Sequence, residues 1–267
     1  MRILEKPKVY LIAKTTLVSE GLDSYFRDIG SPQWRPDPDV SDAENLVEAA
    51  GRICYRSWQS YDPDKPQATN PNVTRVRMGN ERYLGNILSS GHGSVLEHAS
   101  MTFILAGVSR VLTHELVRHR AGMAYSQESL RYVRLDELDF WFPKALKGNE
   151  AARKKFEEVV SFLEGVQRDL AEIFDIDNIK SFAEKKKLTS MFRRLAPIGL
   201  GTSIMVTGNL RAWRHVIAMR TAPAAEEEIR QVMGQVAAIC KQEYPNLFQD
   251  MNQDPETGAW TFEYPKV

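Results

Sequence analysis

Cysteine is almost absent: among 267 residues there are two, Cys54 and Cys240, far apart in the chain. That excludes a disulfide framework and a zinc-binding cysteine spacing, and it leaves two buried free thiols as the expectation. Net charge is absent as well. Lysine plus arginine (35) balance aspartate plus glutamate (35), so no overall basic field is available for general binding of nucleic acid or an anionic membrane. Any anion site must be local. No stretch approaches the ~20 apolar residues of a membrane span, and the apolar run in the opening MRILEKPKVYLIAKTT is too short and interrupted for a signal peptide. The expectation is a cytoplasmic protein with neither membrane nor nucleic-acid partners. Neither G-x-G-x-x-G after a strand nor G-x-x-x-x-G-K-[ST] occurs, so Rossmann and P-loop nucleotide sites are unsupported. Internal repeats and low-complexity tracts are also missing.

What is present is a mixture of strand and helix signals. KVYLIA (8–13) is β-branched and apolar and predicts an early strand. Ser41 and Glu44 form an S-x-x-E capping box ahead of apolar Leu46, Val47, Ala50 and Ile53, which predicts a helix delivering Cys54, Tyr55, Arg56 and Ser57. Residues 58–80 are polar, with Pro63, Pro66 and Pro71, and read as a long surface loop of poor order. A short helix over 81–88 is broken by Gly91 and Gly93 around His92, and MTFIL (101–105) predicts a strand. Val108, Val111, Leu112 and Leu116 stand at helical spacing, predicting a helix from 107 that Gly122 ends, with Arg118, His119 and Arg120 in its last turn. Residues 131–143 read as strand-rich. An amphipathic helix is predicted over 151–174 on Phe156, Val159, Val160, Leu163, Val166, Leu170 and Ile173, and a further helical stretch over 179–194, in which Lys185, Lys186 and Lys187 form a solvated face. GTSIMVTG (201–208) reads as a strand, Asn209 as the cap of the helix 210–220, and 223–244 as a final long helix with Glu226, Glu227 and Glu228 in its first turns. Helices and strands come in clusters without strict alternation, which is an α+β pattern.

The chemistry concentrates in VRHRAGMAYSQESLRYV (117–133). Four of the five histidines, His92, His98, His114 and His119, precede or enter it, so a metal site is the first candidate. A zincin helix needs two histidines four apart, whereas His114 and His119 are five apart and roughly 140° from each other on a helix, which argues against shared coordination. Ser129 lacks a G-x-S-x-G elbow and a positioned base, so it is a weak candidate nucleophile. A site for phosphorylated ligands fits better. Guanidinium groups hold phosphate oxygens bidentately and serine hydroxyls add donors; Arg118, Arg120, Ser126, Ser129 and Arg131 offer that chemistry in one stretch. Arg193, Asn209, Arg211, His215 and Arg220 form a second group, with 211 and 215 stacked on one helical face, so two groups suggest more than one phosphorylated ligand. Two rivals remain: an RNA- or nucleotide-binding protein that stacks bases on Tyr125 and Tyr132, and a metal hydrolase built on the histidines.

R-H-R at 118–120 followed by S-L-R-Y at 129–132 resembles the signature of the flavin-dependent thymidylate synthases. AAGRICYRS (49–57), GHGSVLEH (91–98) and the stretch from Arg193 and Pro197 through N-L-R (209–211) to Arg220 are similar in kind and order. The family's usual seven-residue spacer between R-H-R and the serine is here eight, AGMAYSQE, and the extra residue falls in AGMA, because Y-S-Q-x-S-x-R-Y stays in register. The resemblance implies a single catalytic domain over 1–267, with a central, mainly antiparallel sheet flanked by long helices, 58–80 as a long loop and 245–267 as a C-terminal extension. It implies methylation of dUMP to dTMP with 5,10-methylenetetrahydrofolate as one-carbon donor and FAD, reduced by NADPH, as hydride source, in a homotetramer with shared active sites. It assigns FAD to Ser94, Glu97, Arg118, His119, Arg120, Ser126, Asn209, Arg211 and His215. It assigns dUMP to Glu115, Gln127, Glu128, Ser129, Leu130, Arg131, Arg193 and Arg220. Arg220, Ser129 and His92 stand nearest the reaction, and no metal is implied. By this resemblance neither cysteine takes part in the chemistry.

Overall fold

A computed structural model describes residues 2–4, 6–131 and 137–267 of the chain. The first part supplies strands β1 (Arg2–Leu4) and β2 (Lys8–Lys14), then helices α1 (Ser19–Asp28), α2 (Asp42–Tyr55) and α3 (Asn80–Ser89). Strand β3 (Ser100–Ser109), helix α4 (Arg110–Leu116) and strand β4 (Met123–Gln127) follow. Next come β5 (Asp139–Trp141), α5 (Lys144–Lys147), α6 (Glu150–Ile173) and α7 (Phe182–Phe192). Strand β6 (Gly201–Asn209) leads directly into α8 (Leu210–Thr221), and α9 (Glu227–Glu243) precedes the hairpin β7 (Met251–Gln253) and β8 (Trp260–Phe262). The architecture is α+β, as the element pattern predicts. An antiparallel sheet has the order β2-β3-β6-β4, beside the small pairs β1-β5 and β7-β8. No helix among the described residues is long and apolar enough to cross a membrane.

β3 sits inside the sheet, and its alternation buries Met101, Phe103 and Leu105 opposite Gly208, Val206 and Ile204 of β6. α8 lies directly on this surface. The Trp213 ring meets Phe103 edge-on at 5.1 Å, and its Nε1 donates to the Met101 carbonyl at 3.2 Å. Gly208 makes the approach possible, because a Cβ there would stand 2.8 Å from Trp213 Nε1. α9 closes the core with Ile229, Val232, Met233, Val236, Ala237 and Cys240, all fully buried. Cys240 thus matches the buried-thiol expectation, whereas Cys54, at the outward end of α2, is exposed and does not.

The departures from the sequence reading have physical causes. β3 does not stop at Leu105: the β3–β6 register shifts between Ala106 and Val108, with Gly107 at φ +67°, and pairing resumes to Ser109. Ladder hydrogen bonds to β6 therefore claim Val108, and the Ser109 hydroxyl caps α4 by accepting from Leu112 N at 3.3 Å. The predicted helix from 107 shrinks to Arg110–Leu116, and Arg118, His119 and Arg120 lie beyond its end. The capping box at Ser41 and Glu44 forms as expected, but α2 buries Glu44, Glu48 and Arg52 and exposes Ile53. Arg52 explains this: it donates to Glu48 Oε1 at 2.8 Å and to the carbonyls of Ser57 and Arg77, each at 2.6 Å. Residues 58–79 contain no helix or strand, yet they are not loosely held; Arg52 ties both ends, and Trp58 is buried against Phe26 and Trp34 with ring centroids 5.1 and 5.3 Å apart. α6 has the predicted extent but turns Phe156, Val159 and Ile173 to solvent, burying Val160, Glu164 and Gln167. Of the strand-rich reading over 131–143, Asp139–Trp141 forms a strand, while 132–136, including Tyr132, fall outside the described residues.

Glu228 is buried at the start of α9, where it accepts from the Ser109 N at 2.6 Å and from the Ser109 hydroxyl. Burial pushes its carboxyl up to about 7, the Ser109 donors opposing in part. In the unfolded chain a glutamate titrates near ~4.3. Between these values the folded state binds more protons, so this group's stabilisation is complete below the lower value and is lost as pH rises through the higher one. We expect Glu228→Gln to gain thermal stability relative to the parent on going from about pH 5 to about pH 8. Parallel, pH-independent melting curves would show that Glu228 is ionised throughout.

Candidate functional site

Three stretches of chain meet at one end of the sheet, and register is the cause. Ser100 of β3 lies opposite Asn209 of β6, and Met123 of β4 lies opposite Gly208, so what precedes Ser100 and Met123 is brought to where α8 begins. Before Ser100 comes the 3-10 stretch Gly93–His98; before Met123 comes the turn carrying Arg118, His119 and Arg120. The junction is held by backbone: Asn209 N donates to the Gly122 carbonyl at 3.0 Å, and Leu210 N to the Ala99 carbonyl at 2.9 Å. Asn209 also caps α8, its Oδ1 accepting from Ala212 N at 2.8 Å. Gly122 has φ +69°, and a Cβ on it would overlap the Asn209 side chain. Of the AGMA segment, Ala121 and Gly122 make the tight turn and Met123 and Ala124 already belong to β4, on which Ser126 and Gln127 sit in regular register with opposite facing.

His92 is presented by a Schellman end to α3. Gly91 takes φ +72°, His92 N donates to the Ile87 carbonyl and Gly91 N to the Leu88 carbonyl, both at 3.0 Å. Its imidazole stacks on Tyr55 with centroids 6.0 Å apart, in a cleft of about 360 Å³ shared with Cys54, Ser94 and Arg211. Arg211 also faces a second cavity of about 700 Å³, with Glu97, Gly122, Asn209 and His215. Arg211 Nη1 pairs with Glu97 Oε1 at 2.7 Å, both side chains half-exposed, so the pair is worth ~0–1 kcal/mol and gives way readily to a stronger anion. Arg118 and Arg120 are exposed and pair with no carboxylate among the described residues. Of the residues assigned to FAD by resemblance, Glu97, Asn209, Arg211 and His215 line the larger cavity and Ser94 the cleft beside it. His119 touches His215 edge-on, with centroids 5.6 Å apart.

The end of α8 makes the second cluster. Arg220 donates from Nε to His119 Nε2 at 2.8 Å, from Nη1 to Glu115 Oε2 at 2.9 Å and from Nη2 to the Glu115 carbonyl at 3.2 Å. Three of its five N–H donors are engaged, leaving two. Because His119 Nε2 accepts, its imidazole is neutral with the proton on Nδ1. Burial, then Arg220 and His215, pull the His119 pKa down to about 4. Gln127 Nε2 donates to Thr113 Oγ1 at 3.2 Å, on the inner side of the same region.

The segment after β4 divides its duties. Ser129 Oγ accepts from Arg131 N at 3.4 Å, and the Arg131 carbonyl accepts from Thr189 Oγ1 at 2.8 Å. Glu128 is taken up by β6, its Oε2 accepting from Ser203 N at 3.0 Å, and Leu130 packs into the apolar cluster of Leu138, Phe140 and Val160. These two side chains therefore brace the loop. Arg193 is exposed and near Arg110, whose pKa is lowered by burial, with Arg193 adding to it and Glu128 opposing.

Sequence reasoning missed Arg110 and the parts that Tyr125, Tyr55 and residues 260–267 play at the site. Tyr125 is half-buried with its hydroxyl within reach of the Leu116 and His119 carbonyls, at 3.0 and 2.5 Å, so it pins the arginine-bearing turn. Arg110 donates to the Glu128 carbonyl at 2.8 Å. A hydroxyl or ring that acts through a distant carbonyl leaves no local spacing to read. Among the described residues no group of three or more His, Cys, Asp and Glu side chains could hold a metal ion.

Comparison with known proteins agrees with this assembly. Residues 39–246 match the family model described as thymidylate synthase complementing protein. A flavin-dependent thymidylate synthase of Mycobacteroides abscessus is 36% identical over 260 residues, covering 92% of this chain and 90% of that protein. One from Mycobacterium tuberculosis is 36% identical over 258 residues (91% and 89%), and one from Corynebacterium diphtheriae 34% identical over 230 residues (85% and 86%).

In the ligand-free protein His119 should stay neutral until the pH falls to about 4, and Arg220→Ala should raise that value. Ring carbon–proton NMR reads both; an imidazolium signal from His119 at about pH 6, near the free-histidine range, would refute the arrangement.

Proposed function

Since the chain belongs to the thymidylate synthase complementing protein family, we propose that it converts dUMP to dTMP with 5,10-methylenetetrahydrofolate and NADPH as co-substrates. It is a flavin-dependent thymidylate synthase. The observation that carries the assignment of ligands is the meeting of Arg118, Arg120, Arg211 and His215 at one sheet end, beside a cavity of about 700 Å³. FAD fits this donor set. Its pyrophosphate needs cations and oriented donors, and the two exposed arginines plus the weakly paired Arg211 are available to it. Bound there, reduced FAD supplies the hydride that turns the transferred one-carbon unit into a methyl group.

The chain's own residues bind, orient and polarise. Arg131, Arg193 and Ser129 hold the dUMP phosphate, with Gln127 on the base. Arg220 directs its two remaining N–H donors at the uracil, stabilising negative charge that develops as C5 becomes nucleophilic; fixed donors of this kind are worth ~3 to 4 kcal/mol. Glu115 and His119 hold the guanidinium in that pose. His92, stacked on Tyr55, forms the wall near the flavin and folate. No protein nucleophile is required. Among the described residues no base is positioned on Ser129, and burial pushes the fully buried Cys240 thiol above its ordinary range. The outward apolar side of α6, with Phe156, Val159 and Phe162 between 53% and 70% exposed, supports assembly as a homotetramer.

Purified protein given FAD, dUMP, methylenetetrahydrofolate and NADPH should form dTMP, and Arg220→Ala should lower turnover at saturating dUMP by about a hundredfold or more. Full turnover in Arg220→Ala would remove the polarising role. The double variant Cys54→Ser/Cys240→Ser should keep its turnover; a folded but inactive double variant would place a thiol in the reaction.

A further inference from the structure

The larger cavity has a wall that lies beyond the residues matched by the family model. The family match ends at residue 246, yet Trp260, Phe262, Tyr264, Lys266 and Val267 line the cavity with Arg211 and His215. This strap is fixed in place by the inner side of the helix whose outer side carries Arg211 and His215. Arg214, fully buried, grips Asp250 bidentately with both N–O distances at 2.7 Å, and lies 4.2 Å over the Phe262 ring. Asp250 in turn accepts from Tyr264 N at 3.2 Å, and Thr221 Oγ1 accepts from Trp260 N at 2.8 Å. The strap ends against the GHGS segment. A Cβ on Gly93 would stand 2.7 Å from the main-chain carbonyl carbon of Val267 and 3.0 Å from Arg211 Nε, so the bare backbone at Gly93 is what admits it.

Two features mark the strap as more than a brace. Lys266 is exposed at the cavity and makes no ion pair among the described residues, beside Arg211, whose carboxylate partner is weakly held. Trp260, which lines the cavity, has its Nε1 buried and without an acceptor among the described residues. We propose that residues 260–267 are part of the flavin-nucleotide site, Lys266 adding a cation for the phosphates and Trp260 and Phe262 an apolar wall. This rests on the reading of that cavity as the FAD site.

FAD binding, followed by quenching of flavin fluorescence, tests it without turnover. The parent, Lys266→Ala, Lys266→Arg, a deletion of 265–267 and Arg211→Ala are compared, with a thermal melt of each ligand-free protein. Lys266→Ala and the deletion should raise the Kd for FAD by about tenfold, the size of one charge-assisted contact, with Lys266→Arg close to the parent. If Arg211→Ala weakens FAD while Lys266→Ala binds it as the parent does, the strap is a brace only and the proposal is overturned. Tighter binding by the deletion would make the strap an obstruction and would overturn the proposal equally. Lys266 is exposed, so its variants decide the matter even if the deletion fails to fold. A parent that binds no FAD overturns the cavity assignment itself, and the proposal with it.

Discussion

Asn209 is the point on which the arrangement hangs. It ends β6 and begins α8, and it does both with ordinary hydrogen bonds: its N–H to the Gly122 carbonyl and its side chain to Ala212 N. Those bonds place the arginine-bearing turn beside the first turn of the helix that carries Arg211 and His215. A capping hydrogen bond is worth ~1 kcal/mol to helix stability. Here its greater consequence is positional, since it fixes where a helix of functional side chains starts relative to a loop of unpaired cations.

The same logic governs how charge is distributed in a chain with none to spare. Two arginines, Arg52 and Arg214, are buried, and each is engaged with a carboxylate and with backbone carbonyls, as buried charge requires. Those arginines build structure. Arg118, Arg120 and Arg211, proposed to meet the cofactor, are exposed or half-exposed, and among the described residues they pair with no carboxylate or, for Arg211, weakly with Glu97, which leaves their donors available to a phosphate. Burial and pairing thus separate Arg52 and Arg214 from Arg118, Arg120 and Arg211, a distinction that composition cannot make, while Arg220, bonded to Glu115 and His119, lies between the two groups.

Much of this was legible in the sequence where the chemistry is local. The capping box at Ser41, the Asn209 cap and the glycine break at Gly91 are decided by neighbours a few residues away, and each forms as read. The helix expected from 107 failed for a reason of the opposite kind. Val108 has good helical spacing, but β6 lies alongside and a bulge at Gly107 lets pairing continue to Ser109. Likewise α2 buries charged residues that a hydrophobic count places outside, because the carbonyls of Ser57 and Arg77 come to Arg52. Tyr125 reaches back across a turn to the carbonyls of Leu116 and His119, and the strap acts through contacts distant in the chain, neither of which propensity or periodicity encodes. In the site, residue types and their grouping could be read; which side chains bind and which brace, as Glu128 and Leu130 do, depends on packing.

His119 sits between the two ligand regions, accepting from Arg220 on one side and touching His215 on the other. An imidazole kept neutral by burial, and then by cationic neighbours, gains proton affinity when an anion arrives nearby. Phosphate arriving on either side therefore draws a proton toward the same ring, and by thermodynamic reciprocity each ligand alters the charge that the other meets. Nucleotide and cofactor bound as proposed would not need to touch to influence one another's binding: a shared titration would couple them favourably, and the size of that coupling would vary with the acidity of the medium.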